Sequence, residues 1–185
     1  MKRLAVSSLA LFPLLALAAP KEGVYVAATL EPFNKTDVKI QQVGSVSGDN
    51  DFGYSLILGY DHLLDENITL GVSGEYNNLG EATTYPVSWS ASGFSITVRP
   101  KIYFGDSDIY ISPYVGVGKY EFEISESITG SRETSNETAY KYGIEIGAQF
   151  DENFIVNAGW KESYYDEHGV SIDIHGLYLG AGYRF

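Results

Sequence analysis

A period-two alternation of apolar residues recurs along nearly the whole chain, in eight segments of about ten residues each. The first is GVYVAATLEPF, with Val24, Val26, Ala28 and Leu30 on one face. In FGYSLILGY, Phe52, Tyr54, Leu56, Leu58 and Tyr60 oppose Gly53, Ser55, Ile57 and Gly59. In ITLGVSGEY, Ile68, Leu70, Val72, Gly74 and Tyr76 oppose Thr69, Gly71, Ser73 and Glu75. FSITVRPKIYF sets Phe94, Ile96, Val98, Pro100, Ile102 and Phe104 against Ser95, Thr97, Arg99, Lys101 and Tyr103. IYISPYVGVGKY carries large residues on both faces; Ile109, Ile111, Pro113, Val115 and Val117 form the more apolar one. YKYGIEIGAQF and FIVNAGWKESY repeat the pattern, with Lys141, Glu145 and Lys161 on the polar side. The eighth, GLYLGAGYRF, keeps Leu177, Leu179, Ala181, Tyr183 and Phe185 in phase to the last residue.

Connections alternate in length. Short acidic ones are expected at Asp61–Asn67, Gly105–Asp108 and Asp151–Asn153, and long ones at about Asn34–Asp51, Asn77–Gly93, Glu121–Thr138 and Ser163–Ser171. Antiparallel strands give this rhythm when one end has tight turns and the other long loops. The 20 Gly and 15 Tyr point the same way: Tyr favours strands and membrane interfaces, and Gly favours tight barrel interiors.

The start, MKRLAVSSLALFPLLALAAP, has two cations, an apolar run and a small-x-small site at Ala16-Leu17-Ala18. This is the layout of a secretory signal peptide, expected to span residues 1–18 and to leave a mature domain at 19–185. Its shortness, Pro13 and the processing site argue against a membrane anchor. Loss of Lys2 and Arg3 moves the formal charge from −12 to −14, which disfavours nucleic acid and anionic lipid surfaces as partners. With no Cys, disulfides, thiolate metal sites and cysteine nucleophiles are excluded.

A soluble ligand-binding barrel and a membrane barrel both alternate, but a membrane barrel turns its apolar face to lipid. Small and charged residues stand consistently opposite the apolar set. Aromatic residues cluster at the ends of the apolar face: Tyr54, Tyr60, Tyr76, Phe104, Tyr140, Phe150, Phe154 and Trp160 are candidates for the two girdles of a bilayer. A one-residue slip of the fourth segment would put Arg99 and Lys101 against lipid, at ~2–4 kcal/mol each near the midplane. The expected fold is therefore all-β: an eight-stranded, antiparallel, up-and-down transmembrane β-barrel with a filled polar lumen. Glu75, Arg99, Lys101, Lys141, Glu145 and Lys161, with Glu31 as a further acid, form the expected lumenal ionic network. A barrel this narrow fills its interior with side chains; a gated ion path is the alternative role for these charges.

On these residues the chain resembles the eight-stranded OmpA- and OmpX-type outer-membrane barrels of Gram-negative bacteria. APKEGVYVAA, LGVSGEYNNLG (Leu70 to Gly80), GDSDIY (Gly105 to Tyr110) and the closing GAGYRF carry the likeness. The resemblance implies an integral outer-membrane protein without a cofactor. It places Arg99 where the family has a lumenal Lys, Asn157 where it has a lumenal Arg, and Ser73 where it has a lumenal Glu, so the charge network must be rewired. It also implies that Tyr183 and Phe185 form an assembly signal read by the barrel assembly machinery. The expected end of the chain at Phe185, without the periplasmic domain of peptidoglycan-tethering OmpA-type proteins, favours the single-domain OmpX-type group, which is associated with adhesion, host interaction and complement resistance.

Catalysis has little to stand on. The resembling lipid A deacylases would need a His-x-Ser pair, and none of His62, His168 and His175 begins one; palmitoyltransferase and barrel-protease patterns are not visible either. Asp166–His168 is too compact in extended chain to converge on a metal ion, and Asn136–Thr138 matches a glycosylation acceptor that an outer-membrane setting makes irrelevant. Function is expected in the outer loops. Glu121–Thr138 carries five Glu against Arg132 alone, and the last loop adds Glu162, Asp166, Glu167 and Asp173. These loops suit basic host or cell-surface proteins, or lipopolysaccharide phosphates bridged by divalent cations. The fifth and sixth segments are expected to project outward as a hairpin with a free pairing edge. The resulting expectation is a monomeric, non-enzymatic, structural or adhesive barrel among outer-membrane lipid and lipopolysaccharide. A lipid A-modifying enzyme and a small-solute pore are the other readings.

Overall fold

The computed structural model describes residues 22–40, 44–84, 87–105, 107–126, 130–151, 153–167 and 170–185; the expected leader and His168 lie outside the described residues. Among the described residues nine strands follow one another: β1 (Gly23–Ile40), β2 (Gly44–Asp49), β3 (Gly53–Asp65), β4 (Ile68–Thr84), β5 (Val87–Tyr103), β6 (Ile109–Glu126), β7 (Arg132–Phe150), β8 (Phe154–Glu167) and β9 (Val170–Arg184). Eight of them close into an antiparallel barrel through pairing of β1 with β9, from Tyr25↔Arg184 outward. The ninth, β2, pairs with the far half of β1, from Lys35↔Asp49 to Ile40↔Gly44. It is a strand where a loop was expected.

The barrel's stagger can be walked residue by residue. One hydrogen-bonded row runs Val26, Leu58, Gly74, Ile96, Val117, Tyr140, Tyr164 and Asp173, then returns to β1 at Asp37. The row has climbed from residue 26 to residue 37 of the same strand, with a one-residue irregularity between Leu30 and Phe33. A climb of that size is what strands tilted by about 40° produce when eight of them close.

Burial follows the alternation with its sign inverted relative to a soluble protein. Leu58, Ile96 and Val115 are 60%, 64% and 63% exposed, while Thr97 and Ser112 are fully buried and Glu145 is 2% exposed. Lipid covers the first set in a membrane; the second set fills the lumen. Pro100, which cannot donate to a ladder, sits where the β5–β6 pairing is interrupted between Val98↔Val115 and Ile102↔Ile111. The inner turns are tight, with Gly105 (φ 57°) and Asp151 (φ 46°) in the left-handed region that Gly and Asp tolerate best.

The strands outrun the bilayer. A spanning strand needs about 9–11 residues, yet β6 has 18 and β7 has 19. The excess is at the outer end, and there both faces change character. On β6 the outward positions pass from Val115 and Val117 to Lys119, Glu121 and Glu123, while the inward positions pass from Ser112 and Gly116 to Tyr120 and Phe122. On β9 the outward change is from Leu177 to His175 and Asp173, and the inward change from Gly176 to Ile174 and Ile172. Above this level Leu79, Ala91, Tyr120, Ala139 and Ile174 form an apolar core, with Phe122, Tyr165 and Ile172 packed on it.

These extensions correct the expected connections. Among the described residues the stretches 34–51, 77–93, 121–138 and 163–171 are mostly strand. Asp61 belongs to β3, not to a turn; the turn there is Glu66–Asn67. His62 likewise lies on β3, with Nδ1 3.1 Å from Glu22.

Candidate functional site

The lumen holds five buried cations and four buried carboxylates among the described residues. At its centre Glu75 accepts from Arg99 and from Lys141. Arg99 also reaches Glu145 Oε2 at 3.4 Å and lies over the Tyr114 ring, 5.2 Å from its centroid. Glu145 accepts hydroxyl bonds from Tyr110 (2.7 Å) and Tyr178 (2.9 Å), and Lys141 also donates to Asn77 Oδ1 at 2.9 Å. Toward the outer end Lys161 pairs with Glu31, which also accepts from Ser55 (2.8 Å) and Asn34 (3.0 Å). Toward the inner end Lys101 Nζ lies 2.5 Å from Asp61 Oδ2, an oxygen shared with Arg184. Arg184 also donates to Gln149 Oε1 at 2.7 Å.

Each ion out of water costs several kcal/mol, which only close pairing and full hydrogen bonding offset. The interleaved order of cation and carboxylate supplies the pairing, while Asp61 Oδ1, Arg99 Nε and Arg184 Nε stay buried without a hydrogen-bond partner among the described residues. A cavity of about 10 Å³ lies among Ser55, Glu75, Arg99, Lys141, Glu145 and Lys161, room for no more than a water molecule. Tyr25, Tyr103 and Tyr110 with Ile57 and Ile155 form an apolar cluster among these groups, and Lys101 Nζ lies 4.7 Å from the Tyr25 ring centroid.

Part of the abundance of Gly and Tyr has a local cause. Four lumenal tyrosines each lie across a glycine on the adjacent strand: Tyr25 on Gly59, Tyr110 on Gly147, Tyr114 on Gly143 and Tyr178 on Gly159. A Cβ at any of those glycines would meet the ring at 2.4–2.6 Å, so the rings can lie flat only because the side chain is absent. Gly71 serves Asp61 in the same way, since a Cβ there would be 2.5 Å from Asp61 Oδ1.

On the outer wall the aromatic residues fall at two levels. Tyr54, Tyr76 and Phe94 form a ladder at the outer level, with centroids 6.2 and 5.1 Å apart; Tyr140 lies at that level on β7, and Trp160 stands 6.0 Å from Tyr142. Phe154, Tyr183 and Phe185 form the inner counterpart, at 5.3 and 5.1 Å, with Tyr60, Phe104 and Phe150 at the same end. Phe185 is 74% exposed and its N–H donates to Val24 O at 2.9 Å. Asn153 Nδ2 donates to Arg184 O at 2.8 Å, pinning the last strand to the adjacent turn.

Above the membrane level the sheet divides. The β7–β8 ladder stops at Tyr140↔Tyr164, whereas β7 stays paired with β6 up to Ser125↔Arg132. Residues 132–139 therefore present one strand edge with no neighbouring strand among the described residues. The seam between β2 and β4, by contrast, is bridged at Asn50↔Ala82. The surround is acidic: Glu121, Glu123 and Glu137 lie on this hairpin, with Arg132 bonded to Glu123. Asp166 accepts from Tyr164 at 2.6 Å, and His175 Nδ1 stands 4.0 Å from Asp37.

Asp61 and Arg184 are the lumenal charges that sequence reasoning missed. Parity would have found both. Asp61 continues the inward series Ser55, Ile57 and Gly59, and Arg184 alternates with Tyr183 and Phe185.

The model of the outer membrane protein beta-barrel domain matches residues 4–185. No match is found among curated proteins. Among solved structures, Ail, the attachment invasion locus protein of Yersinia pestis, is 20% identical over 89% of this chain and 100% of its own, with a TM-score of 0.56. Neisserial surface protein A is 17% identical over 91% and 99%, at 0.63. A major outer membrane protein from Thermus thermophilus is 13% identical over 90% and 100%, at 0.59. At these identities the likeness is one of fold, and it agrees with the closed barrel and its inverted faces. The chain belongs to the outer membrane protein beta-barrel domain family.

Proposed function

We propose that this protein is a monomeric outer-membrane barrel that acts by contact rather than by catalysis, presenting the open β7 edge to an extended basic segment of a host or cell-surface protein. The carrying observation is that edge: eight residues, 132–139, held beyond the membrane level by a rigid sheet and unpaired on one side. A strand added there gains main-chain hydrogen bonds, and the acidic surround favours a cationic partner. Ail, whose name records attachment and invasion, has been solved with the heparin analogue sucrose octasulfate; the acids around the β7 edge make a polyanion the wrong partner here. The sealed lumen supports a scaffold role for Glu75, Arg99, Lys101, Lys141, Glu145 and Lys161 over a pore. The exposed aromatic end supports a role for Tyr183 and Phe185 in recognition by the assembly machinery, after cleavage of the leader at residue 18.

The test is surface binding of the full chain in nanodiscs to an immobilised lysine-rich, strand-forming peptide and to immobilised heparin. Salt-sensitive binding to the peptide, lost in Asn136→Pro, is expected, with none to heparin. Heparin binding, or peptide binding indifferent to the proline, overturns the reading.

A further inference from the structure

The lipid-facing wall is not uniform. A groove of about 1000 Å³ crosses it between β1 and β7. Its floor is Gly74, the one small residue in the row Val26, Leu58, Gly74, Ile96 and Val117. A Cβ built on Gly74 meets nothing within 4 Å, so this glycine, unlike those under the lumenal tyrosines, makes room on the outside. The next row toward the outer end supplies the upper wall, where Tyr76 and Phe94 stack at 5.1 Å.

The groove has a direction. Because each row climbs toward the outer end from β1 to β9, Val26 marks its deep end and Lys119 its shallow end, beside Phe94 in register. Crossing from β1 to β6 along a row covers about 20 Å at the usual strand spacing. Lys119 is exposed at the aromatic level. The other exposed strand cations each face a carboxylate: Lys35 with Asp49, Lys39 with Asp173 and Arg132 with Glu123. Lys119 has no ion pair among the described residues.

We infer that this groove is a seat for one acyl chain of a phosphorylated membrane lipid, with the chain lying over Gly74 and the phosphate held by Lys119. The inference uses the outer-membrane placement of the barrel and is independent of the β7 edge. Helix-free wall and lipid tail are equally apolar, so retention comes from van der Waals fit in the notch and from the one charge at its rim. A phosphate is the group an ammonium without an ion pair selects at the headgroup level.

The full chain, refolded in detergent, is titrated with phosphatidylglycerol and with diacylglycerol and read by native mass spectrometry. One retained phosphatidylglycerol per barrel is expected. Gly74→Leu, which fills the floor without a clash, should weaken retention about tenfold. Lys119→Gln should weaken phosphatidylglycerol about fivefold and leave diacylglycerol unchanged. Gly74→Ala carries the same test in smaller measure if the leucine variant fails to refold, judged by gel mobility without boiling. Inorganic phosphate at millimolar concentration should not displace the lipid. Equal retention by wild type and the Gly74 variants, or a Lys119 effect equal for both lipids, overturns the assignment.

Discussion

The barrel has two interiors, one above the other, and they are opposites. Within the membrane the inside is Glu75, Arg99, Lys141 and their partners; above it the inside is Leu79, Ala91, Tyr120, Ala139 and Ile174. The same strands build both, with register shifts at Leu30/Phe33 on β1 and Asn78/Glu81 on β4. What changes is the solvent outside. Where lipid covers the wall, apolar residues gain nothing by turning inward, and the lumen is left to polar groups that satisfy one another. Where water covers the wall, burial of apolar surface again drives packing, and the polarity reverses. The level at which Val117 gives way to Lys119, and Leu177 to His175, is therefore a direct reading of the outer membrane edge.

The largest effect should come from the lower interior. Glu75→Leu leaves Lys141 with only Asn77 and Arg99 with a 3.4 Å contact to Glu145. The expected loss is about 3–5 kcal/mol, read as the urea midpoint of the barrel in vesicles. Glu75→Leu with Lys141→Met should recover much of it, since the pair is then removed together. A single variant as stable as wild type would mean that water reaches the lumen. Next comes the wall: Ile146→Arg should cost about 2–4 kcal/mol. The outward position Asn136 on the same strand should accept Arg within about 0.5 kcal/mol. Equal costs would move the membrane edge. The upper interior should respond more locally. Ile174→Ala should cost about 2 kcal/mol, lowering amide protection some thirtyfold in 170–174 and 120–124 while leaving 140–150 protected. Loss of protection throughout would mean that the two interiors unfold as one.

The same reversal explains what could be read in the sequence. Parity was legible wherever lipid imposes a single rule, which is why all eight segments face as Arg99, Lys101 and Lys141 require. The extensions were not, because an outward apolar face was the signal and it vanishes at Lys119, Asn78 and Thr138, although alternation continues inside out through Tyr120 and Phe122. The extra strand β2 has no such signal: GSVSGD is short, small and polar, and it is held by pairing with β1. The charge pairings needed the register. Lys101 and Asp61 are 40 residues apart and meet only through the β3–β4–β5 ladder and the space left by Gly71.

The smallest effect separates a rim charge from the sealed ones. Glu22 stands at the inner mouth, exposed, bonded to the Tyr60 hydroxyl and 3.1 Å from His62 Nδ1. The Tyr60 hydroxyl, and after it His62, hold its carboxyl below the ordinary value. A depressed carboxyl contributes stability that is present above its unfolded value of about 4.3 and is lost as pH falls through the folded one. The gap in unfolding midpoint between wild type and Glu22→Gln should therefore be small and constant above about pH 5, and should close as the solution is acidified. Added salt should shrink it, because water surrounds the group. The loss in Glu75→Leu should not respond to salt, because its partners lie where counterions cannot enter. A salt-sensitive Glu75→Leu beside a salt-insensitive Glu22→Gln would reverse the distinction between sealed and open charge on which the comparison of the two interiors depends.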